Sequence, residues 1–180
     1  MDIKVLEERR HELMNTLCEE LNAAQIAAVV RNDEGAPEMI SAILDEIGDP
    51  DQELEILGDF YFRPVNDEED TAQAFMCVLT ITDELPKERM ADFYEALSYV
   101  NFNVPAGCFS VDKDHRFFCY VLTSIMPMEL PDDLLFHQMD IAVGNACMIA
   151  DTYIPILCDV LDGTIGVDGV VEFLGGPAEA

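Results

Sequence analysis

The sequence predicts an α+β domain in which one antiparallel sheet carries its helices on one face. Three observations support that class. A unit of strand, turn, strand and Pro-initiated helix occurs twice, first between Gly58 and Pro86 and again between Gly107 and Pro131. Short apolar runs rich in aromatic and β-branched side chains separate the turn signals, as strands require. The last helical stretch is apolar nearly all round, so it needs cover on more than one face.

Composition narrows the setting. The chain has 180 residues, 50% of them hydrophobic, with 9 Lys+Arg against 37 Asp+Glu and a formal net charge of −28. A chain this long and this apolar buries a real core, and its acidity does not make it disordered. Its field repels phosphate, so neither nucleic acid nor an anionic membrane surface is an expected partner. No uninterrupted apolar run reaches the roughly 18 residues of a spanning helix. The opening MDIKVLEERRHELMN places charges where a signal peptide needs an apolar core, so the expected location is cytoplasmic.

The elements follow in order. Ile3, Leu6, Leu13, Leu17 and Leu21 recur at helical spacing and predict a first helix over residues 2–22. Gln25 to Val30 fits either a strand or a continuation of that helix. Pro37, Met39, Ile40, Ile43, Leu44 and Ile47 predict a short second helix with Pro in its first turn, stopped by Gly48-Asp49-Pro50-Asp51. Leu54 to Arg63, aromatic at Phe60, Tyr61 and Phe62, predicts a strand. Pro64 to Asp70 is a loop whose acidic run is a solvated turn. Ala72 to Thr82 reads as a buried strand, and Pro86 opens a helix to about Tyr99.

The second unit begins at Gly107. Phe109 and Val111 share one face of a strand, Asp112 to His115 turns, and Phe117 to Ile125 returns. Pro131 opens the long final helix from Asp132 to about Leu161, where Pro155 predicts a kink or a break. Either another helix or a second subunit must cover the side that the sheet does not. Residues 1–162 therefore read as one domain and residues 163–180 as a Gly-rich tail anchored by Val170, Val171, Phe173 and Leu174. Matching segments in the two units, such as Cys77-Val78-Leu79-Thr80 and Cys119-Tyr120-Val121-Leu122-Thr123, suggest a duplicated ββα element.

Site chemistry is sparse. Cys18, Cys77, Cys108, Cys119, Cys147 and Cys158 form no CxxC pair, and most sit in apolar runs as small buried hydrophobes. That usage points to a reducing compartment. His11 and His115 read as solvated, and His137 has only Asp140 within helical reach. No GxSxG, P-loop or GxGxxG occurs, so the sequence implies no cofactor and no metal.

The stretch from Gly107-Cys108-Phe109-Ser110-Val111 through Asp112-Lys113-Asp114-His115-Arg116 to Phe117-Phe118-Cys119-Tyr120-Val121-Leu122 resembles the YbjN family, whose members carry the label of sensory transduction regulators. The final helix, with Pro131-Asp132-Asp133-Leu134-Leu135 and Asp151-Thr152-Tyr153-Ile154-Pro155, is similar to that family's last helix. The resemblance covers roughly residues 50 to 162 and implies the type III secretion chaperone-like fold. It also implies a small acidic protein-binding domain, often a homodimer, without an enzymatic site.

The expected function is thus a non-enzymatic chaperone-like or adaptor domain that binds a protein segment, as a homodimer. Its expected contacts are Phe60 and Phe62 of the aromatic strand and Met139, Val143, Met148 and Tyr153 of the last helix. An extended client adding to a sheet edge would bring basic residues to the acidic field. The alternative is a cysteine-dependent enzyme assembled from distant positions, for instance Cys108 with His137.

Overall fold

The computed structural model describes residues 2–45, 47–48, 56–66, 71–82, 85–112, 114 and 117–175. Helix α1 (Ile3–Ala23) starts at Asp2, whose side chain accepts a hydrogen bond from the Lys4 N–H, and it leads to strand β1 (Ala28–Arg31). Strands β2 (Met39–Leu44), β3 (Ile56–Pro64) and β4 (Ala72–Thr82) follow as a meander. A 3-10 turn at Lys87–Arg89 opens α2 (Met90–Asn103), and the hairpin β5 (Cys108–Val111) and β6 (Phe118–Pro127) leads to α3 (Asp132–Asp162) and α4 (Val167–Phe173). All six strands form one antiparallel sheet in the order β1-β2-β3-β4-β6-β5.

The helices pack on one face. Helix α1 lies over β1 and β2, α3 over β4 and β6, and α2 and α4 close the layer beside α3. Alternation along the strands turns Ile40, Phe60, Phe62, Phe75, Cys77, Leu79 and Tyr120 toward Leu13, Leu17, Met139, Ala146 and Leu157, all buried. Arg9 fastens the layer at one end. Its guanidinium donates to Asp132 Oδ1 at 2.6 Å and to the carbonyls of Met128 and Leu130, which pins α1 to the start of α3.

The expected α+β class is present, with two differences in its elements. Residues 39–44 are a strand rather than a helix. Their apolar spacing fits both periods, but a strand places Ile40, Ala42 and Leu44 on the core side and pairs with β1 and β3 at once. Gly35, at φ +81°, sits in the turn that makes the β1–β2 hairpin. The segment from Gln25 to Val30 resolves as a tight exit from α1 followed by β1. The second difference lies at Pro155: of the kink or break expected there, the break does not occur, and α3 continues to Asp162. Ile154, Leu157, Cys158 and Leu161 are buried on either side of it, and that packing outweighs a local cost of about 3 kcal/mol.

The strands of the two ββα units are set out symmetrically, whereas α2 packs on β5 and α3 on β4 and β6. Strands β4 and β6 lie side by side, with Val78 directly opposite Val121, so the matching Val-Leu-Thr segments are related by a local two-fold. The tail beyond residue 162 is part of the same layer as far as residue 175. Val170 of α4 is buried, and Phe173 meets the ring of Tyr153 at 6.2 Å. The acidic run 67–70, the stop at 49–51, His115 and residues 176–180 lie outside the described residues.

Of the two covers expected for α3, other helices of the same chain are present: α1, α2 and α4 take its second side, with Leu134, Ile141 and Met148 left exposed. Val143, expected as a contact, is buried at 7% exposure. Val143→Asp should therefore lower folding stability by about 3 kcal/mol or more, because it strands a charge in the core. Urea denaturation followed by circular dichroism checks this; a stability near wild type would contradict the placement.

Candidate functional site

The face of the sheet opposite the helices is the feature that the fold leaves open. Its positions follow from register. Val29 pairs with Ser41, Ile43 with Leu57, Met39 with Tyr61, Tyr61 with Met76, Val78 with Val121 and Ala74 with Ile125. Four of its large apolar side chains stand well into solvent: Val29 at 57%, Ile125 at 55%, Ile43 at 40% and Leu57 at 39%. Met76, Cys119 and Ala74 on the same face are buried among their sheet neighbours. Val29, Ile43 and Leu57 cluster at one end of the face, and Ile125 stands at the other end in register with Ala74 and Arg63.

Three of the polar side chains on the face have partners. Ser41 Oγ donates to Asp59 Oδ1 at 2.6 Å, and Thr123 Oγ1 lies 3.2 Å from Met76 Sδ. Arg31 pairs with Asp33 at 2.7 Å at the end of β1. A groove of about 720 Å³ leads from the face around the end of β3 to the first turns of α1, lined by Ile3, Arg10, Pro37, Tyr61 and Pro64.

Both sheet edges are guarded in the same way. Asn22, in the last turn of α1, donates from Nδ2 to Ala28 O at 2.9 Å, and the Ala28 N–H donates back to Asn22 Oδ1 at 3.3 Å. Asn101, near the end of α2, donates to Phe109 O at 2.9 Å and accepts from the Phe109 N–H at 2.7 Å. Each amide presents one donor and one acceptor, as a paired strand would, and occupies an outward backbone site of an edge strand only four residues long. An extended client adding to an edge, as expected from sequence, meets these caps first.

The other expected contacts are placed as follows. Phe60, Phe62, Met139 and Val143 are core residues, because both the aromatic strand and the last helix turn them toward each other's layer. Tyr153 is half-buried between Phe109 and Phe173, at ring distances of 6.3 and 6.2 Å. Met148 alone of the set is exposed, in line with Leu134 and Ile141 at seven-residue spacing. Acidic Asp140 and Asp151 border that narrow stripe. By length and composition α3 is the one helix among the described residues that could cross a membrane; in this fold Leu135, Met139, Ala146, Ile154 and Leu157 on it are buried in the core.

The distant pair Cys108 and His137 is not brought together. Cys108 stands opposite Val121 on the open face, whereas His137 lies on α3 in the helical layer. Burial pushes the Cys77 and Cys119 thiols up, with Cys147 and Cys108 respectively adding repulsion. Burial likewise raises Cys147 to about 11, helped by Asp151, and Cys158 to about 12, helped by Asp162. These are protonated, unreactive thiols at neutral pH. Among the described residues no cluster of three His, Cys, Asp or Glu side chains converges on a metal position.

No family model and no curated protein matches the chain. Among solved structures, an uncharacterized protein from Methanothermobacter thermautotrophicus is similar at 13% identity and a TM-score of 0.39, over 76% of this chain and 93% of that one.

Two tests follow from this geometry. Asn101→Ala should cost about 1–3 kcal/mol by unpairing the Phe109 backbone. It should also raise light scattering on standing as the edge of β5 opens; unchanged stability and scattering would contradict the cap. The raised thiols make the second test one of pH. An unfolded chain ionises its cysteines near the usual value of 9.0, while the folded chain holds Cys147 and Cys158 neutral to about 11 and 12. Stability is therefore full below pH 9 and falls as pH rises toward 12. The wild-type urea midpoint should fall over that window and fall less in the Cys147→Ser, Cys158→Ser variant; a wild-type midpoint that stayed flat, or fell no more than the variant's, would contradict it.

Proposed function

We propose that this chain is a non-enzymatic protein-binding domain of the chaperone-like or adaptor kind, whose contact surface is the open face of the sheet. The observation that carries this reading is the apolar face itself, with Val29, Ile43, Leu57 and Ile125 exposed on a sheet whose other face is already covered. Apolar surface of this kind gains about 25 cal/mol for each Å² removed from water, and a protein partner is the ligand broad enough to cover it. The YbjN-like regulator role and the cytoplasmic setting are part of the same proposal. They agree with the acidic charge and with six cysteines that carry no disulfide in the fold.

The surface differs from the one expected on the last helix. Leu134, Ile141 and Met148 form a stripe one residue wide, whereas the sheet face is six strands broad. Leu57→Asp tests the reading, since a charge at this half-open position leaves the core untouched. The variant should keep the wild-type far-UV spectrum and lose at least about tenfold in partner affinity, as truncating a central apolar contact does. Met148→Asp should bind normally. The reverse pattern, with binding lost in Met148→Asp and kept in Leu57→Asp, would move the site to α3.

A further inference from the structure

We propose that the occupant of the open face is a second copy of this chain, so that two six-stranded sheets pack face to face. This rests on the protein-binding reading above and names the partner. Charge is the first reason. The chain has 37 acidic residues, yet Asp59 is the one acidic residue among the outward positions of the paired strands, and Ser41 already donates to it. Arg31 and Arg63 are the basic residues on that face. A surface made for a basic segment presents carboxylates at the contact. One made for another acidic chain must exclude them.

Size is the second reason. Strands of 4 to 11 residues, at about 3.3 Å per residue and about 4.8 Å between neighbours, make a face of about 700 Å². Two such faces together bury about 1,400 Å², which lies within the standard range for a specific interface. A single helix, about 10 Å wide, would leave more than half of that width in water. The edges are the third reason. Asn22 and Asn101 occupy Ala28 and Phe109, so pairing between copies is directed to the face rather than to continuation of the sheet.

This arrangement has a signature that a basic client lacks. It joins two bodies of formal charge −28 through a face that carries one carboxylate, Asp59. Salt screens the repulsion and leaves the apolar contact intact, so added salt tightens the pair. Salt loosens the binding of a basic partner.

Sedimentation equilibrium of the full chain under reducing conditions tests this, at about 20 mM and about 500 mM NaCl. Ile125→Glu and Val29→Glu are the comparison variants, because both positions are more than half exposed and the core does not depend on them. The wild type should dimerise with a dissociation constant about tenfold or more lower at the higher salt. Both variants should be monomers that keep the wild-type far-UV spectrum; if one fails to fold, the other decides. A wild-type monomer at both salts, a dimer that either variant leaves intact, or a dimer loosened by salt would overturn the proposal. A monomer that crosslinks another protein, with that crosslink lost in the variants, overturns the second copy and leaves the protein-binding reading standing. A monomer whose crosslinks the variants do not change overturns both.

Discussion

A sheet that is apolar on both faces has to be covered twice, and this chain covers it once. The rest of the architecture follows from that constraint. Three helices and the short α4 are spent on the face that holds Phe60, Phe75, Leu79 and Tyr120. The opposite face, with Val29, Ile43, Leu57 and Ile125, is left to solvent or to a partner. Helix α3 cannot serve both sides. Most of its apolar side chains meet the sheet on one side and α1, α2 and α4 on the other, and only the stripe Leu134, Ile141 and Met148 stays exposed.

The same economy governs the edges and the ends. Both edge strands are short, and each has an outward backbone position filled by an asparagine from the helix that precedes it. Such caps suppress strand addition at small cost, because the amide supplies the hydrogen bonds that a neighbouring strand would. Arg9 works in the other direction, tying α1 to the turn before α3, so that the helical layer closes as a unit. The local two-fold at Val78 and Val121 sets β4 and β6 at the centre, so β5 closes one rim and β2 and β1 extend the sheet to the other.

Much of the fold was legible in the sequence, because its strongest signals were local. The heptad-like spacing of α1, the continuous apolar run of β4 and the Pro131 start of α3 each correspond to an element. Residues 39–44 were not legible, since Met39, Ile40, Ile43 and Leu44 satisfy a helical period as well as a strand, and only pairing with β1 and β3 decides. The open face of the sheet was illegible for a related reason. Large apolar residues in Phe60–Phe62 and α3 drew attention, but size measures burial as readily as exposure. The usable signal was different: β2, β4 and β6 are apolar at both alternate positions, which marks strands with two faces to cover. Asn22 and Asn101 carried no signal, because their partners are set by tertiary contact.

The central claim is that the sheet face, not the last helix, is where this protein meets another chain. Photochemical carbene footprinting of the full chain, read residue by residue as its concentration is raised, addresses that claim directly. The account predicts that Leu57, Tyr61 and Ile125 become protected together while Leu134, Ile141 and Met148 stay labelled. Protection of the α3 stripe with the sheet face still labelled would contradict it.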